Sequence, residues 1–174
     1  MTSRPLVALA FASVLFSQAC GMRKPEPSLD NSAPPIPADA KALPESAFRV
    51  EWISNTIPKS MKAGERVSIQ VSFRNPSPET WPDRQLAKEQ YGTCAVKLSH
   101  QWWDAATGKA ASSRDARVEL PRPIPSGETV TLTMNVVAPK TPGSYNLQCD
   151  LVQEYVSWFD AKGTAKLVVP VTVD

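Results

Sequence analysis

Histidine occurs once in these 174 residues, at His100, and cysteine three times. So few imidazoles and thiols leave no set of His and Cys ligands for a zinc site. Charge of one sign is also scarce, with 19 Lys and Arg against 17 Asp and Glu and no basic run, which removes the electrostatic case for nucleic acid. No apolar stretch approaches the ~20 residues that span a bilayer as a helix. A glycine-rich phosphate loop and a GxSxG elbow are both missing, so no cofactor or hydrolase motif is present. Asp104, Asp150, Glu154 and Asp160 match no calcium loop and read as solvated loop charges. Helical patterning is scarce as well. Only residues 83–90 look locally helical, and 17 prolines argue against an all-helical chain, because each interior one costs a helix about 3 kcal/mol.

What is present begins at the N-terminus. Arg4 precedes the apolar run Leu6–Phe16, which is followed by the small or polar Ser17, Gln18 and Ala19 and then by Cys20. This is the pattern of an export signal over residues 1–19. A cysteine directly after it resembles a bacterial lipobox, which implies a lipid on the Cys20 sulfur and a membrane anchor there. Ser17 stands where such boxes usually carry Leu, so ordinary cleavage near Ala19 is the alternative. Gly21 is not the aspartate that marks inner-membrane retention, which favours an outer-membrane position. Assigning Cys20 to the lipid leaves Cys94 and Cys149, two strand positions in an exported chain, as an expected disulfide; two buried thiols are the other reading.

Residues 20–47 carry Pro25, Pro27, Pro34, Pro35, Pro37 and Pro44 with few aliphatics, a composition that predicts a disordered, extended tether. From residue 48 to 174 the period is two. Val67, Ile69, Val71 and Phe73 alternate with polar residues, as do Val130, Leu132, Met134 and Val136, and Tyr145, Leu147, Cys149 and Leu151. Turn signals such as Pro125-Ser126-Gly127 and Thr141-Pro142-Gly143 separate these runs. About seven short strands so spaced predict an all-β protein, a single Ig-like antiparallel β-sandwich. In the last run, Pro170 cannot donate to a ladder, so that strand is expected at an edge or with a bulge.

Several landmarks follow one another: Asn75-Pro76 before Thr80-Trp81-Pro82, Leu98-Ser99-His100-Gln101-Trp102, Ile124-Pro125-Ser126-Gly127-Glu128, Pro142-Gly143-Ser144-Tyr145, and Ser157-Trp158-Phe159. Over residues 65–173 this order resembles the bacterial Ig-like modules attached to polysaccharide-pathway glycosyltransferases. More remotely it resembles the four-tryptophan Ig-like domain of selective autophagy receptors. The resemblance implies a binding or scaffolding role and no reaction. Tyr155 stands where that family often has glycine, and the cysteine pair is not part of its pattern.

Aromatic residues are the only group dense enough to propose a ligand surface, with Trp81, Trp103, Tyr155 and Trp158 as its candidates. The competing reading places Trp81, Trp102 and Trp158 in the core and leaves Trp103 and Tyr155 at the surface. A catalytic pair is disfavoured because Ser99 and His100, adjacent in a strand, point to opposite faces. The expected function is a non-enzymatic, lipid-anchored cell-envelope protein whose domain binds a glycan or a protein. Two alternatives are an assembly subunit pairing through an edge strand and a proteinase inhibitor using loop 121–127.

Overall fold

The computed structural model describes residues 41–114 and 116–174; the export signal, Cys20 and most of the tether lie outside the described residues. The strands are β1 (Glu51–Asn55), β2 (Ser60–Met61), β3 (Arg66–Arg74), β4 (Val96–Asp104) and β5 (Val118–Glu119), then β6 (Thr129–Val137), β7 (Gly143–Gln153), β8 (Ser157–Trp158) and β9 (Leu167–Val173). They form two sheets. One has the order β1-β3-β6, and the other runs β2-β9-β7-β4-β5 with β8 paired to β7. This is an Ig-like β-sandwich. All pairings are antiparallel except β2 with β9, which is parallel.

The alternating runs face each other across the core. Along β6 exposed and buried positions alternate without a break, and Leu132 and Met134 meet Leu98, Leu147 and Leu151 of the opposite sheet in one apolar cluster. Phe48, Trp81 and Phe159 fill one end with edge-on ring contacts at 5.1 and 5.4 Å. The Trp81 indole is fully buried, and its N–H donates to the Ala47 carbonyl at 2.9 Å. Pro170 fits its strand because of what lies beside it. Thr172 and Asp174 donate their N–H groups to Lys59 and Met61 around β2, so Pro170 presents its missing donor to the same side, where β2 no longer extends.

Two expectations need correction, and the expected helical segment gains detail. Residues 41–47, assigned by composition to the tether, belong to the folded unit: Leu43 and Ala47 are buried, and Leu43 N–H donates to Gln153 Oε1 at 3.0 Å. The helical segment is a turn of α-helix, α1 (Arg84–Leu86), capped by the Asp83 carboxylate on Leu86 N–H and continued as a wider π-type turn over Ala87–Tyr91. Finally, Cys94 and Cys149 are not bonded to each other. Cys149 pairs with His100, whereas Cys94 precedes Val96, which pairs with Gln153. Six ladder positions separate the two cysteines, roughly 20 Å along the strands, beyond the ~7 Å Cα limit of a disulfide. Both point inward, as the period requires, but a shared face does not make them neighbours.

Candidate functional site

The outer face of β4 and β7 is the chemically richest part of the molecule, because it is roofed. On an open sheet Ser99, Asp150 and Val152 would meet water; here all three are buried. The loop carrying Arg114 and Arg117 covers them. Ser99 Oγ donates to the Arg114 carbonyl at 3.3 Å, and Ala111 N–H and the Ser112 side chain bond the Trp102 backbone at 2.8 and 2.9 Å. Arg114 contacts Asp150 at 2.7 Å and Asp160 at 3.5 Å, and Lys166 closes on Asp160 at 2.7 Å. Both guanidiniums lie over the Trp158 ring, Arg114 at 3.5 Å and Arg117 at 4.8 Å from its centroid.

Inside this network the two aspartates divide one proton. Burial pushes the Asp150 carboxyl up to about 7, helped by the hydrogen bond and charge of Asp160 and opposed by Arg114. At Asp160 burial also works against the charge. Hydrogen bonds from Lys166 and Asp150, with the charges of Arg114 and Lys166, outweigh it and hold this carboxyl below the usual range. Below about pH 7 Asp150 is thus the member that keeps a proton, and Asp160 the one that stays charged. The crevice beneath, between Ser99, His100 and Gln148, has no space for a water molecule. It is packed structure.

Space exists around the turn between β7 and β8. Val156 N–H returns to the Gln153 carbonyl at 3.0 Å and Glu154 N–H donates to Ala95 O at 3.0 Å, which fixes the turn against the start of β4. Between them Tyr155 takes a φ of 60°, the left-handed region, and its ring is displayed 40% exposed. On one side of Tyr155 opens a cleft of about 540 Å³ walled by Arg84, Lys88, Thr93, Lys97 and Glu119. On the other side lies a hollow of about 220 Å³ bounded by Arg117, Val156 and Trp158. Glu154 stands between the two, bonded to Arg117 at 2.6 Å and 4.0 Å from Lys97, which in turn lies 3.5 Å from Glu119. These pairings hold donors and acceptors at fixed positions along the cleft floor.

Of the four aromatics nominated by the sequence, the structure brings only Tyr155 and Trp158 together. Trp81 is core and offers no surface to a ligand. The Trp158 ring is already covered by the two arginines, so it braces the turn. Trp103 is half-buried with its N–H on Gln101 Oε1 at 3.1 Å and Lys166 at 5.8 Å over the ring, and it lies six residues along β4 from Lys97, about 20 Å away. Ser99 and His100 occupy opposite faces. Burial lowers the His100 pKa, and its Nδ1 has no hydrogen-bond partner among the described residues. The Cys149 thiol is pushed up to about 12 by burial and by the neighbouring Asp150, which leaves it unreactive. Of the four acids, Asp150 and Asp160 meet, Glu154 joins the cleft, and Asp104 caps its own turn through Thr107 and Ala106. No group of three or more His, Cys, Asp or Glu able to hold a metal occurs among the described residues.

No family model matches the sequence, and no curated protein is similar to it. Among solved structures the chain is similar to part of a β-glucosidase from Erythrobacter marinus, at 11% identity and a TM-score of 0.45 over 72% of this chain and 15% of that one. A β-glucosidase mutant from Listeria innocua, in complex with laminaribiose, gives 15%, 0.43, 72% and 16%. The CARDB domain of a Pyrococcus furiosus protein, in complex with di-metal ions, gives 13%, 0.42, 72% and 84%. The chain spans only about 15% of the length of the β-glucosidases. At this similarity no activity, substrate or metal of those proteins passes to it.

Proposed function

We propose that this chain is a non-enzymatic, lipid-anchored protein of the bacterial cell envelope, and that its Ig-like domain takes an envelope glycan in the cleft beside Tyr155. The observation that carries the reading is the backbone of Tyr155. A tyrosine at positive φ costs about 1–3 kcal/mol, a penalty glycine would avoid, and such residues gather at functional sites. The resembling family often has glycine there. Keeping a bulky, exposed ring in a strained turn beside a cleft is explained by a face that stacks on a ligand. The cleft volume falls within the ~300–1,000 Å³ of ligand sites. Its walls carry paired Lys, Arg and Glu groups, which suit hydroxyls that both donate and accept. Anchoring is supported by the apolar run Leu6–Phe16 and the small or polar residues that lead from it to Cys20.

Two other readings are less favoured. An inhibitor loop at 121–127 would have to protrude, yet Ile124 at its centre is buried and exchanges two 3.0 Å backbone bonds with Trp81. A catalytic reading has no residue pair to rest on. The binding reading is tested by co-sedimentation with purified peptidoglycan and by titration with soluble envelope polysaccharide. The parent binds at least one of them, while Tyr155→Gly loses at least about tenfold in affinity and melts at or above the parent temperature. Equal binding by both proteins sinks it. For the anchor, palmitate labelling of the parent disappears in Cys20→Ser; labelling that persists removes that half of the proposal.

A further inference from the structure

The edges of the two sheets are treated unequally. β1 spans five residues, begins at charged Glu51 and breaks register between Trp52 and Ser54. β2 and β5 have two residues each, and the open side of β9 carries Pro170. Short, bulged, charged or proline-bearing edges are how sheets avoid pairing with other chains. β6 has none of these features. It is nine residues long, Thr-Val-Thr-Leu-Thr-Met-Asn-Val-Val, and keeps unbroken register with β3.

The bonds around β6 show which of its backbone groups are open. Gln70 donates its N–H to Thr56 Oγ1 and accepts Thr56 N–H at its carbonyl, so it faces β1. Its partner across the ladder, Thr133, therefore exchanges no bonds with it and turns outward. Ala138 N–H on Glu65 O and Asn75 N–H on Glu128 O set the same phase at both ends. Thr129, Thr131, Thr133, Asn135 and Val137 thus present N–H and C=O to the free edge, and no backbone bond to them occurs among the described residues.

We infer that a second copy of this chain pairs with β6 in antiparallel fashion about a twofold axis at Thr133, merging two three-stranded sheets into one. In that register Thr133 faces itself, Thr131 faces Asn135 and Thr129 faces Val137. On the core side Leu132 faces Met134 and Val130 faces Val136. Each outward pair exchanges two N–H···O bonds, and the facing side chains are Thr with Thr, Asn or Val on the outer side and aliphatic with aliphatic on the core side, all uncharged β-compatible neighbours. Self-pairing about an axis sets any charge on the strand against its own copy. β6 carries no charge, which is what an isologous contact requires and what an acidic or basic partner strand would not select. Val137, 40% exposed, gains cover. This inference stands apart from the Tyr155 cleft, and neither test bears on the other.

Facing residues that exchange both bonds have Cα atoms ~5.5 Å apart, within the ~4.4–6.8 Å that a disulfide accepts. In the full chain under mild oxidation, Thr133→Cys forms a covalent dimer on a non-reducing gel, while Thr172→Cys, also exposed but on β9, does not. In sedimentation the parent is a dimer, and Thr133→Lys, placing like charges at the axis, weakens it at least about tenfold with an unchanged melting temperature. A parent that stays monomeric up to its solubility limit, equal cross-linking at the two positions, or an undiminished dimer in Thr133→Lys would each overturn the inference.

Discussion

The two sheets of this sandwich have the same inner face and opposite outer faces. On β3 and β6 nearly all the outward residues are polar and meet water; burial alternates without a break along β6 and fails on β3 only where Ser72 is buried between Val71 and Phe73. On β4 and β7 the outward residues include Asp150, buried under a loop, and alternation stops at Cys149, after which every residue to Gln153 is buried. Roofing a sheet turns its solvent side into a second interior. That interior is polar, so it is held by ion pairs and cation–π contacts where the shared core is held by apolar packing. Charged residues that would be worth little on the bare sheet become structural on the covered one.

This contrast can be broken by substitution on each side. Arg114→Ala should have the largest effect, because it strips the partner from Asp150 and Asp160 and uncovers Trp158. Breaking a fully buried ion pair would cost about 3–5 kcal/mol; Arg114 is partly exposed and, below about pH 7, its charged partner is Asp160 while Asp150 is held by a hydrogen bond, which brings the loss to about 2 kcal/mol. Denaturant melts measure it, and a loss under about 0.5 kcal/mol, the range of an ordinary surface change, would mean that the roof is ornamental. The second test is pH. The folded protein keeps a proton on Asp150 up to about 7, whereas the unfolded chain releases it near the ordinary value of 3.8. Between those values the folded state binds more protons, so stability falls as pH rises. Asp150→Asn should flatten that decline, as melting temperatures across the window will show; an unchanged slope would place the proton elsewhere. The smallest effect belongs to the bare face, where Ser68→Ala on β3 should stay within about 0.5 kcal/mol of the parent.

Legibility in the sequence followed the same division. The inward set of β6, the turn at Gly127 and the core position of Trp102 could all be read from a two-residue period and turn chemistry. Arg114 and Arg117 could not, since they sit in a loop without period and find Asp150 and Glu154 some 36 and 37 residues away. Nothing local marks such partners. The expected cysteine pair failed for a related reason: period two assigns a face but says nothing about how far along the strand a residue meets its counterpart.

The amino-acid sequence alone determined that this chain folds as a β-sandwich, because alternation and turn residues act within a few positions of one another. It also marked Tyr155 as a surface aromatic. Only the tertiary structure decided that Tyr155 stands at positive φ beside a cleft and that β6 keeps an open edge. It likewise decided that Asp150, buried beside Asp160, has its carboxyl pushed up to about 7. Each depends on segments far apart in sequence, whose approach is set by packing and register.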